Sequence, residues 1–260
     1  MKKLFVFPLI LLLALSLSAC GMVRGSGRVI DEERSVGDFD KIMLAGIGEV
    51  ILTQGEEISL KIEAEDNLMR YLKTEVHGDT LVLGTKEEYA MLALQPTRPL
   101  KFYITVTDLE AITVAGSGDV YADTLLEVKG MALTVLGSGN IRLEQIETDD
   151  ISVNITGSGE IEVDSLTSKA LTTTISGSGE CSLEGEVTDQ TVKITGSGSF
   201  WGRNLQSENA SVLIAGSGDG EIHVRDDLDV NIIGSGNLRY TGSPRLSQSI
   251  SGSGDVSNVP

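Results

Sequence analysis

Positive charge is scarce in this 260-residue chain, which has 20 Lys and Arg residues against 38 Asp and Glu and a formal net charge of −18. Such a chain lacks the basic field that draws proteins onto nucleic acids or anionic lipids, so no nucleic-acid partner is expected. Aromatic residues make up 4% of the sequence. The core must therefore consist mainly of Val, Ile and Leu, which favours β-sheet.

Cysteine is also rare, with Cys20 and Cys181 as the two examples. Cys20 follows an export-type segment, in which Lys2 and Lys3 precede an apolar run over residues 4–17. The run is shorter than the roughly 20 residues that a membrane-crossing helix needs, so the pattern predicts a signal peptide over residues 1–19.

The residues around the expected cleavage site, Leu17-Ser18-Ala19-Cys20-Gly21, resemble the lipobox of bacterial lipoproteins. The resemblance implies lipidation of Cys20, a lipidated linker over residues 20–27 and contact with the membrane through the lipid. Gly21 would resemble the outer-membrane sorting pattern in a Gram-negative cell. A cell-envelope location is therefore expected. An ordinary secretory signal, with Cys20 incidental to cleavage, is the alternative. With Cys20 acylated, Cys181 has no partner and is expected to be a buried apolar side chain.

A repeat of about twenty residues dominates the rest of the chain. After residue 110, eight Gly-Ser-Gly triplets begin at Gly116, Gly137, Gly157, Gly177, Gly196, Gly216, Gly234 and Gly252. A β-branched residue stands two positions before each triplet, and apolar residues alternate on both sides. This period of two predicts a strand, a glycine corner and a second strand in each copy. Gly220 interrupts the alternation, and a local bulge is expected to move the inward role to Ile222.

One such copy buries too little apolar surface to be stable alone. Stacking the copies as parallel strands about 4.8 Å apart would give a continuous aliphatic interior, with glycine corners above one another. A propeller is disfavoured because its blades need about 40 residues each. The repeat therefore predicts an all-β parallel solenoid over residues 111–260.

Residues 28–110 do not keep the triplet period, although Gly46-Ile47-Gly48 is similar to a degenerate corner. Alternating segments predict an irregular β-rich part, a short helix is expected over residues 66–72, and residues 87–99 are expected to form a loop.

The layout as a whole resembles the bacterial head GIN domain family. The resemblance rests on Phe39-Asp40-Lys41-Ile42, on residues 48–55 with their Thr-Gln-Gly end, on Asp66-Asn67-Leu68 and on the serial Gly-Ser-Gly copies. It covers roughly residues 28–257. It implies a right-handed parallel β-helix of about 20-residue coils and an interaction role at the cell surface or in the periplasm, with no known catalytic residues to transfer.

Two surfaces are candidates for binding. Outward positions near the corners are rich in small polar residues, among them Thr156, Thr174 and Thr195, whose hydroxyl groups could hydrogen-bond a polysaccharide. Ordinary exposed strands also favour such residues. Trp201, the one Trp, is an outward candidate for stacking on sugars, and Tyr121 and Tyr240 are weaker ones.

The residues after each triplet are expected to form a polar ladder. Neighbouring acids such as Glu160 and Glu180 would repel each other, which makes them weak candidates for holding a cation. The alternative is a solvated turn edge, and no metal site is predicted.

Catalysis has little support in the sequence. His77 and His223 are the two histidines and lie far apart, and no Ser/His/Asp, metal-ligand or phosphate-loop spacing is present. The chain is therefore predicted to be no enzyme and to need no cofactor. A β-helix polysaccharide lyase or hydrolase is the alternative.

The prediction for the whole chain is a lipid-anchored envelope protein whose solenoid surface serves in binding, adhesion or scaffolding, with envelope proteins or polysaccharide as partners. A purely structural spacer is a second alternative. The last coil has no obvious cap, so association with a second copy through that end is also expected.

Overall fold

The chain folds as a parallel β-solenoid of about seven turns, with coils about 20 residues apart. The computed structural model describes residues 21–259. The expected signal peptide and the expected lipidation residue Cys20 lie outside the described residues. The all-β fold class predicted from the repeat is confirmed.

Within residues 21–259 the fold consists of twenty strands and two short 3₁₀ helices. Strands β1 to β10 are Met22–Arg24, Val29–Glu33, Lys41–Ala45, Glu49–Gln54, Ser59–Glu65, Leu72–His77, Thr80–Thr85, Ala93–Gln95, Lys101–Val106 and Ala111–Val114. Strands β11 to β20 are Asp119–Glu127, Gly130–Gly137, Asn140–Gly157, Glu160–Gly177, Glu180–Gly196, Ser199–Gly216, Asp219–Gly234, Asn237–Thr241, Arg245–Gly252 and Asp255–Asn258. The 3₁₀ helices are Met69–Tyr71 and Glu87–Tyr89.

Each complete coil has three faces, which β14 illustrates. Residues 160–163 form face A, residues 165–168 face B, and residues 170–177 face C, which leads into the next glycine corner. On each face alternate side chains point into the coil, where parallel neighbours stack them into columns. The column Ile141, Ile161, Cys181 and Phe200 is fully buried on face A. Cys181 is therefore the small core residue that the repeat predicts, and its thiol is free.

The glycine corners stack directly on one another, as the repeat predicts. Gly157 has a φ of +127°, in the left-handed region that glycine adopts without steric cost. The Ser158 amide donates to the carbonyl oxygen of Gly137 over 2.9 Å, and the Ser178 amide donates to that of Gly157 over 2.9 Å. This backbone ladder holds the coils in register.

The degenerate corner at Gly46-Ile47-Gly48 belongs to the same stack. The amides of Ser117 and Gly118 both donate to the carbonyl oxygen of Gly46 over 2.9 Å. Strands β3 and β4, on either side of this corner, pair in parallel with β10 and β11. Solenoid stacking therefore extends into the N-terminal part of the chain.

The order of the first coils departs from the order of the sequence. Strands β3 and β4 also pair in parallel with β7 and β9, so their coil lies between a coil that follows it in sequence and the coil of β10 and β11. Antiparallel strands close this end, because β6 pairs with β7, β5 with β9, and β2 with β5.

The segment that follows Cys20 is docked on this closed end. Strand β1 pairs in parallel with β8, which lies in the loop between β7 and β9. The buried carboxylate of Glu65 accepts hydrogen bonds from the Gly27 amide over 2.5 Å and from the Thr97 amide over 2.8 Å. The expected linker is thus tied to the domain from its third residue on.

Two local expectations need correction or refinement. The helix expected over residues 66–72 is reduced to the 3₁₀ turn Met69–Tyr71, because Leu72 is already extended as the start of β6. The loop expected over residues 87–99 contains the second 3₁₀ helix and β8.

The expectation for Gly220 also needs correction. Gly220 keeps the inward position, in register between Phe200 and Leu238, and Ile222 is simply the next inward residue, 1% exposed. The register shift lies beyond Ile222, opposite residues 203–205 of β16, so no bulge at Gly220 moves the inward role.

Among residues 21–259, no helix has the length and apolar character needed to cross a membrane.

Candidate functional site

Face C carries three parallel rows of outward side chains. Alternation along each strand places residues 152, 154 and 156 of β13 outward, and the parallel register aligns each with an equivalent residue on the next coil. Row C1 contains Ala132, Ser152, Thr172, Thr191, Ser211, Asp229 and Ser247. Row C2 contains Thr134, Asn154, Thr174, Lys193, Leu213, Asn231 and Ser249, and row C3 contains Leu136, Thr156, Ser176, Thr195, Ala215, Ile233 and Ser251.

The central part of these rows, on β13, β14 and β15, is a surface of short polar side chains that we call the hydroxyl patch. Its members are Ser152, Asn154, Thr156, Thr172, Thr174, Ser176, Thr191, Lys193 and Thr195. Lys193 is its one charged member, in a chain with a net charge of −18. Neighbours along a row lie about 4.8 Å apart, and rows lie about 6.7 Å apart.

The threonines predicted from the sequence come together in this patch. Thr156 and Thr195 are exposed members of row C3 on either side of Ser176, and Thr174 is a half-exposed member of row C2. Within residues 21–259 their hydroxyl groups have no hydrogen-bond partner in the protein. Each hydroxyl group can therefore donate to and accept from a bound molecule.

Row C1 of the patch was not predicted. Ser152, Thr172 and Thr191 lie two or four residues before the threonines that the sequence indicated, so extending the alternation backwards along each strand would have found them. Two open grooves lie along row C1, one lined by Lys129, Asp150 and Ser152 and the other by residues of β15, β16, β17 and β19. The short side chains of row C1 form part of the walls of both grooves, which follow the rod axis.

Apolar side chains flank the hydroxyl patch in row C3. Leu136 is 46% exposed on one side of it, and Ile233 is 51% exposed beyond the other. A surface that combines free hydroxyl groups with exposed aliphatic groups matches the mixed polar and apolar character of sugar rings.

Face A has a different electrostatic character because its outward residues pair as ions. Arg142 lies 3.1 Å from Glu160 and 3.0 Å from Glu162, and Arg239 lies 2.8 Å from Glu221. These charges face one another across neighbouring strands. Face A therefore offers few uncommitted groups to a neutral ligand.

The polar ladder after the corners is held together by hydrogen bonds. Asp119 accepts from the Asn140 side chain over 2.7 Å, and the Asn140 side-chain oxygen accepts from the Glu160 amide over 3.2 Å. Glu160 and Glu180 are register neighbours, as predicted, but Arg142 already supplies positive charge to Glu160. Among residues 21–259, no group of three or more His, Cys, Asp or Glu residues is placed to hold a metal ion.

The aromatic candidates lie apart from the threonines and from each other. Trp201 is a half-buried outward residue of face A, between Ser182 and Glu221. Tyr121 is on the same face, four strands away, between Ile51 and Arg142. Burial raises the pKa of Tyr121, and the Asp119 charge adds to the effect.

Tyr240 is an outward candidate in the sequence, but it occupies an inward position. It is the register neighbour of Ile222, which is 1% exposed, and its ring packs against the core. The structure therefore brings together the three threonines but none of the three aromatic residues.

Two aspartates, Asp149 and Asp227, are engaged in ion pairs and not with the two histidines. The Asp149 carboxylate lies 2.6 Å from the Lys169 ammonium group, and Asp227 is paired with Arg245 on the next coil. His223 shares a hydrogen bond of 2.8 Å with Thr241, whereas His77 lies 3.2 Å from Glu75 at the other end of the rod.

Fold and surface together define a β-solenoid protein of the binding or adhesion class. Residues 38–244 match the family described as "Putative auto-transporter adhesin, head GIN domain", and the chain belongs to that family. Membership supports a place at the cell envelope or surface and a role other than catalysis. No curated protein matches this chain.

Solved structures share the fold over nearly the whole chain. A Parabacteroides distasonis protein described as a putative lipid binding protein is 28% identical, with a TM-score of 0.87, covering 92% of this chain and 100% of its own. Two further structures, with the same coverage of both chains, are described as putative adhesins. One, from Parabacteroides merdae, is 23% identical with a TM-score of 0.86, and the other, from P. distasonis, is 24% identical with a TM-score of 0.86. At these lower identities the similarity shows the fold alone.

Proposed function

We propose that this protein is a lipid-anchored module of the cell envelope that binds neutral polysaccharide through face C. The observation that carries the proposal is the hydroxyl patch, where Thr156, Thr174 and Thr195 present unpaired hydroxyl groups and Lys193 is the one charged side chain. The neighbouring face A is occupied by ion pairs.

The shape of face C suits an extended ligand. Its rows run along the rod with a repeat of about 4.8 Å, and the grooves beside row C1 follow the same direction. A linear polymer lying along the rod would meet equivalent hydroxyl groups on successive coils. Many weak contacts on a rigid surface then add up without the cost of ordering a loop.

The charge of the chain favours a neutral polymer over an acidic one. With a net charge of −18, the protein repels polyanions at distances up to the Debye length of about 8 Å at physiological salt. Lys193 alone does not offset that field on face C. Binding of neutral sugars depends on hydrogen bonds and apolar contact, which the overall charge leaves unaffected.

A lipid on Cys20 would place the closed end of the rod at the membrane. The segment from β1 to Gly27 is held against that end by β8 and Glu65, so a short tether would separate the lipid from the domain. In a Gram-negative cell we infer the outer membrane, from Gly21 after the cysteine. Replacing Cys20 by Ser tests this part, because the variant should lose membrane fractionation and accumulate as unlipidated precursor.

Binding is tested by titrating the purified chain with neutral and with uronic-acid-containing polysaccharides in a calorimeter. We expect heat of binding with a neutral polymer, little dependence on salt, and no binding of the acidic polymers. Binding of neither class, together with capture of an envelope protein, would favour the scaffold; shortening of the polymer would favour a lyase or hydrolase. If the protein binds neither polysaccharide nor an envelope protein, the result would favour a purely structural spacer.

A further inference from the structure

The two ends of the rod are built differently. At the N-terminal end, the antiparallel strands β2, β5 and β6 cover the parallel coils. At the C-terminal end, β19 pairs with β17 and β20 pairs with β18, and among residues 21–259 no strand pairs with their other edges. Open strand edges present unpaired backbone groups and are templates for pairing with another chain.

At this end, the last apolar residues of the inward columns of face C are exposed to solvent. Leu246 and Ile250 are register neighbours of Leu228 and Ile232. Leu228 and Ile232 are 1% and 0% exposed, whereas Leu246 and Ile250 are 38% and 40% exposed. The last coil thus leaves part of the aliphatic interior uncovered.

A glutamine stands between these two apolar residues. Gln248 continues the inward column of Val192, Val212 and Val230, yet its side chain is polar and exposed. An amide can donate and accept at once, so two glutamines that face each other can satisfy one another.

Strand β19 carries no acidic residue, and the one acid on the neighbouring open strand β20 is Asp255, at its start. Strand β19, Arg-Leu-Ser-Gln-Ser-Ile-Ser-Gly, has Arg245 as its single charge, although the chain as a whole has 38 acids. Charged residues, inward-pointing ones included, are a common protection of edge strands, and β19 lacks an acid that would repel the same strand of a second copy.

We propose that a second copy of this chain docks on this end, tip to tip, about a two-fold axis that passes through Gln248. Strand β19 then pairs antiparallel with β19 of the second copy. This register places Leu246 opposite Ile250, Ser247 opposite Ser249 and Gln248 opposite Gln248. Both apolar residues of each copy are covered, and the two amides meet on the axis.

The size and symmetry of the contact fit a closed dimer. The last coil, from Thr241 to Asn258, is a little smaller than the roughly 20–30 residues per side of a standard interface. The other end presents the antiparallel strands β2, β5 and β6 and not an uncovered parallel coil, so it offers no counterpart of the apolar surface around β19 for head-to-tail growth. A two-fold contact uses the same surface on both copies and stops at two.

In this dimer the two closed ends point in opposite directions. Combined with the lipid anchor proposed above, the contact would join two facing membranes by a homophilic bridge. The bridge between membranes rests on the proposed lipid anchor, but the dimer does not. Dimerisation is therefore tested in solution on the full chain with Cys20→Ser, which carries no lipid.

Charge variants of the outward serines test the register without touching the core. The double variant Ser247→Glu/Ser249→Glu places like charges opposite each other and should weaken the dimer by about tenfold or more in sedimentation equilibrium. The matched variant Ser247→Lys/Ser249→Glu places opposite charges at the same positions and should retain or strengthen it. As a control, Thr172→Glu/Thr174→Glu adds the same charge to an internal coil and should leave the dimer intact.

Cross-linking tests the axis. With Cys20→Ser, the variant Gln248→Cys should form an intermolecular disulfide on mild oxidation, because opposite residues of antiparallel strands lie within disulfide reach. Ser251→Cys should not, since its counterpart would be about 20 Å away. A monomer at all concentrations, equal dissociation constants for the two charge variants, or oligomers larger than two would each overturn the proposal.

Discussion

Gly157 sits directly on Gly137, and a Cβ atom added to Gly157 would overlap the carbonyl oxygen of Gly137. The same oxygen accepts the Ser158 amide over 2.9 Å, so it cannot move away without breaking the ladder between coils. The corner therefore needs glycine for two reasons, its positive φ and the absence of a side chain.

This relationship predicts that Gly157→Ala lowers the free energy of unfolding by about 2–4 kcal/mol, measured by urea denaturation. Gly130→Ala is the matched control, because a Cβ there would have its nearest neighbour at 3.9 Å and φ is not positive. The control should change stability by no more than about 1 kcal/mol. Equal effects of the two substitutions would contradict stacked corners.

The Cys181 thiol gives a second prediction, on reactivity and pH. Burial raises the pKa of this thiol well above its ordinary value, and the Glu180 charge adds to the effect. The unfolded chain ionises its thiol near pH 8.5–9, roughly, whereas the folded chain does not. Below that pH the thiol is protonated in both states and does not affect the free energy of unfolding. Above it, ionisation favours the unfolded chain, so the free energy of unfolding falls as the pH rises.

Native protein with Cys20→Ser should accordingly resist thiol reagents at about pH 8 and react after unfolding. Between about pH 8 and pH 10, the stability of this protein should fall more than that of the same protein with Cys181→Ala, by up to about 1.4 kcal/mol per pH unit. Rapid labelling of the native thiol would show that the column from Ile161 to Phe200 is open.

Glu65 gives a prediction at acidic pH. Burial alone would raise the pKa of its carboxyl group, but hydrogen bonds from Thr97 and from the Gly27 amide hold the pKa below 4.5. The ionised Glu65 therefore stabilises the folded chain above about pH 4.5, and this stabilisation is lost as the pH falls through the lowered pKa that Glu65 has in the folded protein. Docking of residues 21–28 should weaken in that range.

Hydrogen exchange of the Gly27 and Thr97 amides measures the docking directly. Glu65→Gln should speed exchange at neutral pH and abolish the acid dependence, while Glu63→Gln, on the same strand, should behave like the unaltered chain. Unchanged protection of Gly27 in Glu65→Gln would mean that β1 and β8 suffice to hold the segment.

Trp201 reports on face A. Because it lies between Ser182 and Glu221 and not in the hydroxyl patch, its fluorescence should not change when neutral polysaccharide binds to face C. Unfolding in urea should shift its emission and serves as the control. A saturable change on adding the polysaccharide, with loss of affinity in Trp201→Phe, would move the binding surface to face A.

The repeat part of the fold could be predicted from the sequence because its determinants are local. Alternation fixes which residues point inward, and glycine at each corner fixes where the chain turns, so the column around Cys181 follows from the sequence. The prediction for Gly220 was wrong because a glycine has no side chain to show that it occupies an inward position. The position of Tyr240 could also have been inferred, since it is two residues beyond the inward Leu238.

The N-terminal order could not be predicted in this way. Alternation in residues 41–54 and 80–106 indicates strands but not which strand lies beside which, and the coil of β3 and β4 is inserted between β7/β9 and β10/β11. The separation of Trp201 from the threonines has a related cause. The two groups are close in sequence, yet a glycine corner turns the chain between Thr195 and Trp201 onto another face.

The most direct test of the account is the affinity of Thr156→Val/Thr174→Val/Thr195→Val for the neutral polysaccharide that the unaltered chain binds. Valine keeps the branched shape and suits strands, so the fold and the melting temperature should be retained while three hydroxyl groups are lost. We predict an affinity reduced by about tenfold or more. Thr167→Val, at an exposed position on face B, should bind like the unaltered chain. An undiminished affinity of the folded triple variant would contradict binding through face C.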